Sequence, residues 1–334
     1  MHSHSMMWDH RGSLLSESGI GHADLSRLQR GNVALQVFIA ATKLPLWVKS
    51  EDNGNSTNLL TLLALFQKWP MKTWFSNTEK ALYQYQVLDT AVEKSQGRLV
   101  KLTTRNELEH FLEQRATNNS IVSALYAAEG AHVFDGNLEN VELLYKRGVR
   151  MVGVSHFHDS EFGGSRHGKL KYGLTALGRQ MLKKIIGLGM IVDLSHASDA
   201  LMDDIIAETE QAQTPLVMSH TGVRKWCDTV RNVEDKYLTA IGKRGGLVGI
   251  CLLQDCLCGT SVADFVKHVK HVIATIGEDH VVLGSDMDGG AATILQPQDW
   301  SALYVELSRA GLSSDQLAKI MGQNVLHFLQ RAWK

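Results

Sequence analysis

Five apolar runs in this chain each end on one side chain able to bind a metal or move a proton: Glu129 after SALYAA, His156 after MVGVS, His196 after MIVDLS, His220 after PLVMS and Asp286 after VVLGS. These residue types suit metal-assisted hydrolysis. Two divalent ions held close together need a bridging carboxylate, which only Asp or Glu supplies, and terminal imidazoles that leave a position open for water. Glu129 suits the bridge. A metal brings the pKa of water toward ~7, a carboxylate at Asp286 can take a proton from that nucleophile and hand it to a leaving amine, and His156 can meet the oxyanion of a tetrahedral intermediate. Arg231 offers a planar fork that matches a free carboxylate, which favours a substrate ending close to the scissile bond and therefore of dipeptide size.

Residues so far apart in sequence meet only if the fold brings strand ends together. The chain alternates apolar strand-like runs (32–41, 121–128, 149–155, 190–195, 215–219, 246–253 and 280–284) with helical segments at 77–93, 138–147, 175–188, 199–209, 234–244 and 262–276 and two more at the end. Asn77 reads as a helix cap, and Thr104 with Glu107 reads as a capping box for a helix ending near Arg115. Parallel strands joined by crossover helices follow. A doubly wound open sheet shows the same alternation, but its ligands gather at a switch point. Contributions from many strand ends favour a closed (β/α)8 TIM barrel with its site at the C-terminal face. With few prolines and no low-complexity linker, residues 1–334 are expected to form a single domain.

Composition narrows the function further. A hydrophobic content of 44% supports a large core, and a net charge of −1 argues against nucleic acid or an anionic membrane surface as a partner. No apolar stretch reaches the ~20 residues of a membrane span, and the start lacks a basic-then-apolar signal pattern. The chain as written is expected to be cytoplasmic, or periplasmic or exported if the true start lies upstream. Cys227, Cys251, Cys256 and Cys258 are too few and too clustered for a disulfide scaffold; the close trio could bind metal, but the preferred reading is buried or incidental thiols, with Cys227 a small packing residue.

Several of these residues have plainer readings. His2-Ser3-His4 can place two imidazoles on one side of an extended segment, or can be the remnant of an expression tag. Seven strands are counted after this pair, and only Met1 precedes it, so a first strand ending here would be truncated. Arg231, taken alone, reads as a surface arginine capping a helix that begins near Glu234. Asp286 and Asp288 both suit turns before Gly289-Gly290; Asp286, directly after its strand, is the better proton carrier. Asp193 is expected to orient a neighbour or a histidine rather than bind metal, and His158 and His167 to be surface polar residues.

Across nearly its whole length the chain resembles the membrane (renal-type) dipeptidases and their bacterial relatives. The likeness runs through GHADLSRLQRGNVALQVF (21–38), AAEG (127–130), RGVRMVGVSH (147–156), GLTALGRQML (173–182), GLGMIVDLSHAS (187–198), PLVMSHTGVRKWCDTVRNVED (215–235), DHVVLGSDMDG (279–289) and QNVLHFL (323–329). It implies a dipeptidase with two zinc ions bridged by Glu129. His2 and His4 would bind the first ion and His196 and His220 the second. His156 would polarise the carbonyl, Arg231 would hold the substrate carboxylate, and Asp286 would be the catalytic acid-base. The likeness leaves a homodimer open.

Two features depart from the family pattern. His4 stands where relatives carry Asp, which removes one negative charge and is expected to weaken retention of the first metal and lower the pKa of its water. GICLLQDCLCG (249–259) stands where the renal enzyme has aromatic residues, so the side-chain pocket is expected to differ. Two other readings follow: from the changes at 249–259, a related amidohydrolase acting on a lactam, an N-acyl amino acid or a modified peptide, and from the truncated first strand with His4, a noncatalytic or maturation-factor homologue with an incomplete metal site.

Overall fold

In a computed structural model, which describes residues 2–8, 14–17, 21–54, 58–212 and 214–333, nine strands form one parallel sheet. They are β1 (His2–Ser3), β2 (Leu35–Ala41), β3 (Leu99–Lys101), β4 (Val122–Glu129), β5 (Val149–Gly153), β6 (Ile191–Asp193), β7 (Leu216–Thr221), β8 (Leu247–Cys251) and β9 (Val281–Ser285). Eight of them run in the order β1-β2-β4-β5-β6-β7-β8-β9, and β3 pairs with β4 beside that path. Ser3 bridges Met287 in parallel, just past β9. The His4 N–H donates to the Met287 carbonyl at 3.0 Å and the Met287 N–H to that of His2 at 3.1 Å, so the eight strands close into a barrel.

The strands form where successive side chains can be buried on both faces, as a parallel sheet covered by helices requires. In β4 all eight residues are buried. Leu125 and Ala127 turn into the barrel with Ile39, Met151, Ile191, Val217, Leu247 and Val282. Ala124, Tyr126 and Ala128 turn outward against the helices, where Tyr126 stacks on Tyr85 with ring centroids 5.4 Å apart. Each fully buried Leu or Ile of this kind stabilises the fold by about 1.5–3 kcal/mol. The last helix, Asn324–Ala332, lays Phe328 and Leu329 across the floor of the barrel, and Trp333 follows. One face is thereby stoppered with apolar side chains, and the other carries the strand ends.

The helices at 138–147 and 262–276 have the expected bounds. Thr104 and Glu107 form both bonds of a capping box for the helix Arg105–Thr117. At the helix Asn77–Lys94 the cap is Ser76, whose hydroxyl accepts from the Glu79 N–H, one residue before the one expected. The first strand has two residues, in register with Val37 and Phe38 of β2. Strand β3 and the helices Leu25–Arg30 and Leu59–Phe66 carry too little periodicity to be separated in the sequence. Among the described residues, no helix is long and apolar enough to cross a membrane.

Candidate active site

Every expected ligand lies at the C-terminal end of a barrel strand or just beyond it. Glu129 ends β4 and Asp286 follows β9, while His220 lies within the last residues of β7. His156 and His196 stand three residues past β5 and β6. His196 and Asp286 have left-handed backbones, at φ 64° and 62°, a conformation that costs energy in non-glycine residues and clusters where a side chain must be aimed. All five of these imidazole and carboxylate groups, with those of His2 and His4, are buried. The pair His2-Ser3-His4 is thus part of the interior and not a loose terminus.

Glu129 stands at the centre. Its Oε1 lies 3.2 Å from His196 Nε2 and 3.1 Å from His220 Nε2, while its Oε2 lies 3.2 Å from His4 Nε2. His2 Nε2 is 4.0 Å from Oε1 and 3.0 Å from His4 Nε2. His156 Nε2 approaches Oε2 at 3.3 Å. On the far side, Asp286 Oδ1 is 3.6 Å from His2 and 3.5 Å from His4, and its Oδ2 is 3.7 Å from His220. Among the described residues, neither oxygen of Glu129 has a hydrogen-bond partner. A buried carboxylate in that condition is costly unless cations meet it. Burial pushes this carboxyl up to about 8, a rise that cations at the site would offset.

Three of the surrounding imidazoles are in the state that ligates metal. Burial holds those of His2, His196 and His220 well below the ordinary histidine value, so they are neutral with lone pairs available. At His4 burial acts downward too, but Glu129 and Asp286 outweigh it and raise the value. Three sets of side chains, His2 with His4 and Glu129, Glu129 with His196 and His220, and His2 with His220 and Asp286, bring their donor atoms within 4.8 Å of one another. The residues present therefore fit a metal centre, by donor type and by the two unpartnered oxygens of Glu129.

The supports around this cluster are largely polar. Ser219 Oγ donates to Asp193 Oδ2 at 2.5 Å and lies 2.7 Å from His220 Nδ1, whose N–H it can accept. That chain fixes the ring and leaves Nε2 facing Glu129. Asp193 therefore orients a histidine, as its place at the end of β6 implied. Asp288 accepts from Ser5 Oγ at 2.6 Å and from the backbone N–H groups of His22 at 2.8 Å and Ala23 at 3.2 Å. It pins the segment that carries His2 and His4.

Arg231 is mostly buried, with its Nη2 3.7 Å from Asp286 Oδ2 and without a hydrogen-bond partner. The surface-cap reading is overturned. Its loop is held by Asn232, whose side chain accepts from the Gly222 N–H and donates to the carbonyls of Cys227 and Cys256. A disulfide joins Cys227 to Cys258 and ties the loops after β7 and β8 together. The expectation of free, incidental thiols fails for this pair, because only the fold brings two residues 31 positions apart to a bridging distance; Cys251 and Cys256 are buried free thiols.

His158 and His167 are buried, not surface residues. Their loop is drawn onto the barrel by Asp159, which accepts from the N–H groups of Ser165 and Leu170, and by Arg166, which donates to the carbonyls of Ala197 and Asn232. His167 Nδ1 lies 2.8 Å from the Ser50 carbonyl and its ring packs 5.0 Å from that of His196. His132, three residues past Glu129, is a further buried imidazole. Its signal in the sequence was only its nearness to Glu129.

The family model described as membrane dipeptidase (peptidase family M19) matches residues 3–333. The chain is 29% identical over 323 residues to a dipeptidase, tcpJ, of Claviceps purpurea, covering 93% of this chain and 69% of that protein. It is 27% identical over 348 residues to a dipeptidase, ataJ, of Aspergillus terreus, covering 95% and 78%. Among solved structures, a dipeptidase of family M19 superposes with a TM-score of 0.83 at 23% identity over 99% of this chain and 97% of the other. A metallopeptidase from Rhodobacter sphaeroides, bound to a phosphinate mimic of the dipeptide L-Ala-D-Ala, gives 0.82 at 22% over 99% and 98%; at these identities both show the fold. The match over almost the entire chain means that this protein belongs to the membrane dipeptidase family, the metal-dependent hydrolases that cleave dipeptides.

Proposed function

We propose that residues 1–334 act as one catalytic domain that hydrolyses dipeptides with two zinc ions, joined by Glu129. The observation that carries this reading is the division of that carboxylate: Oε1 faces His196 and His220, and Oε2 faces His4, with His2 beside it. One pair of imidazoles would hold each ion. The imidazole at His4 supplies a ligand without the charge of a carboxylate, so the first ion would be held more weakly than the second. Ions bound there supply a water acidified toward neutral pH and a positive field for the developing oxyanion.

This chain's own residues do the rest. Asp286 stands against both histidine pairs; burial pushes its carboxyl up, but the neighbouring imidazoles of His220, His4 and His2 outweigh it and hold it well below the usual range. It begins as a carboxylate, takes the proton of the attacking water and gives it to the leaving amine. His156 is kept neutral by burial and would donate to the carbonyl oxygen as negative charge grows there, a contribution worth about 2.7–4 kcal/mol for one such donor. Arg231 would hold the free carboxylate of the substrate with its unpartnered Nη2. The lactam and noncatalytic readings have no observation in their favour.

The test uses zinc-loaded protein and a set of free and C-terminally amidated dipeptides. Amidation should lower kcat/KM by roughly tenfold or more, and Arg231→Ala should impair free dipeptides far more than amidated ones. Equal losses on both would make the arginine structural, and no zinc-dependent turnover of any dipeptide would overturn the assignment.

A further inference from the structure

His156 is stacked on two other imidazoles. His4 lies at 6.4 Å with its plane tilted 18°, and His132 at 6.5 Å with its plane tilted 17°. Whereas His4 belongs to the metal cluster, His132 belongs to none of the ligand sets. Gly130 makes its place possible: at φ +87°, a Cβ there would stand 2.2 Å from the His132 ring. His132 is 4% exposed and His158 is 1% exposed, and all four of their ring nitrogens lack a hydrogen-bond partner among the described residues. Buried nitrogens in that state call for a polar group from outside the chain.

The surroundings indicate the sign of that group. Burial holds both rings neutral, His158 at about 4, so each keeps one N–H to donate. Lys43, half-buried just past β2, acts on both rings, and Lys80, which burial lowers to about 8, acts on His132. Among the described residues, three carboxylates act on these groups. Asp159 and Asp135 already accept backbone N–H groups of residues 165, 170 and 171 and of 77 and 78, while the charge of Glu161 opposes the effect of burial on Lys43. Arg231, in contrast, acts on His196, His220 and His167. The cationic groups around His132 are thus distinct from the arginine side of the site, with His156 connecting the two.

We propose that His132, His158 and Lys43 form a subsite for a carboxylate carried by the side chain of the substrate's first residue, so that the enzyme favours dipeptides beginning with Glu or Asp. The inference rests on Arg231 as the clamp of the terminal carboxylate. A dipeptide anchored there, with its carbonyl at His156, extends its first residue toward His132. Two imidazole N–H donors and an ammonium group suit a carboxylate better than an amide of the same shape.

The experiment compares Glu-Ala with its isostere Gln-Ala, and with Ala-Ala, on zinc-loaded protein. Wild type should favour Glu-Ala over Gln-Ala by about tenfold in kcat/KM. His158→Leu and, separately, Lys43→Met should bring that ratio toward one while the zinc content of each variant stays at the wild-type value. Calorimetric titration of Asp286→Asn protein with the two peptides reads the same preference as affinity, without turnover. A ratio near one or below, in wild-type turnover or in the affinities of Asp286→Asn protein, overturns the subsite, as does a preference that survives both substitutions. Turnover of Ala-Ala without a preference for Glu defeats this inference alone, whereas absence of turnover of all three peptides, with zinc bound, defeats the dipeptidase reading.

Discussion

His196 and His220 stand at the ends of β6 and β7, in the middle of the sheet, whereas His2 and His4 stand on or beside a strand of two residues. The first pair inherits its position from strands buried on both faces and from the Asp193–Ser219 relay. The second pair is held by few contacts: its register with Val37 and Phe38, the bridge to Met287, the bonds between His2 and Ser285, and Asp288. Equivalent candidate ligands can therefore depend on unequal scaffolds. A barrel fixes a residue in proportion to the strand behind it, and where the strand is short, buried hydrogen bonds must take its place.

The largest expected effect removes what the two halves share. Glu129→Gln leaves the side chain's shape but cannot bridge two cations, so turnover should fall roughly a thousandfold or more, about 4 kcal/mol of barrier; near-normal kcat would mean that the halves work independently. Next comes Asp288→Ala, which should act on the terminal half only. It strips the partners of Ser5, His22 and Ala23 and should destabilise the fold by about 2–4 kcal/mol, visible as a lower denaturant midpoint, with loss of the zinc at His2 and His4 and retention of the other. Equal loss of both ions would erase the contrast between the halves.

Smaller effects come from the central half. Ser219→Ala breaks the link between Asp193 and His220 and should weaken zinc binding by about 10–100-fold without unfolding the protein, as measured by competition with a chelator. The smallest is a pH effect at His167, which packs on His196. Burial lowers this imidazole to about 3, so the neutral form stabilises the folded state at pH above the ordinary histidine value of about 6.5, and that stability is lost as pH falls toward 3. Metal-free protein should melt several degrees lower at pH 5 than at pH 7, and His167→Gln should show a shallower dependence. An unchanged slope would place the acid sensitivity elsewhere.

Much of this arrangement was legible in the chain. The barrel strands announce themselves as apolar runs, and because a parallel barrel gathers strand ends at one face, the residues closing those runs could be named as neighbours. Glu129, His196, His220 and Asp286 were found in that way. Local chemistry was legible too, as in the Thr104–Glu107 capping box. What escaped depends on contacts between distant segments. His158 and His167 lie in a polar, glycine-rich loop, and their burial comes from Asp159 and Arg166 fastening it to the barrel. The Cys227–Cys258 bridge, the pinning role of Asp288 and the seating of the terminal histidines likewise arise only once the barrel has closed.

The most direct measurement is a calorimetric titration of zinc into metal-stripped protein, wild type beside Glu129→Gln and His2→Ala/His4→Ala. Two unequal sites should appear in wild type, the tighter one alone in the double variant, and at most one in Glu129→Gln. A single site in wild type, or two undiminished sites in Glu129→Gln, would contradict a bridged pair of ions.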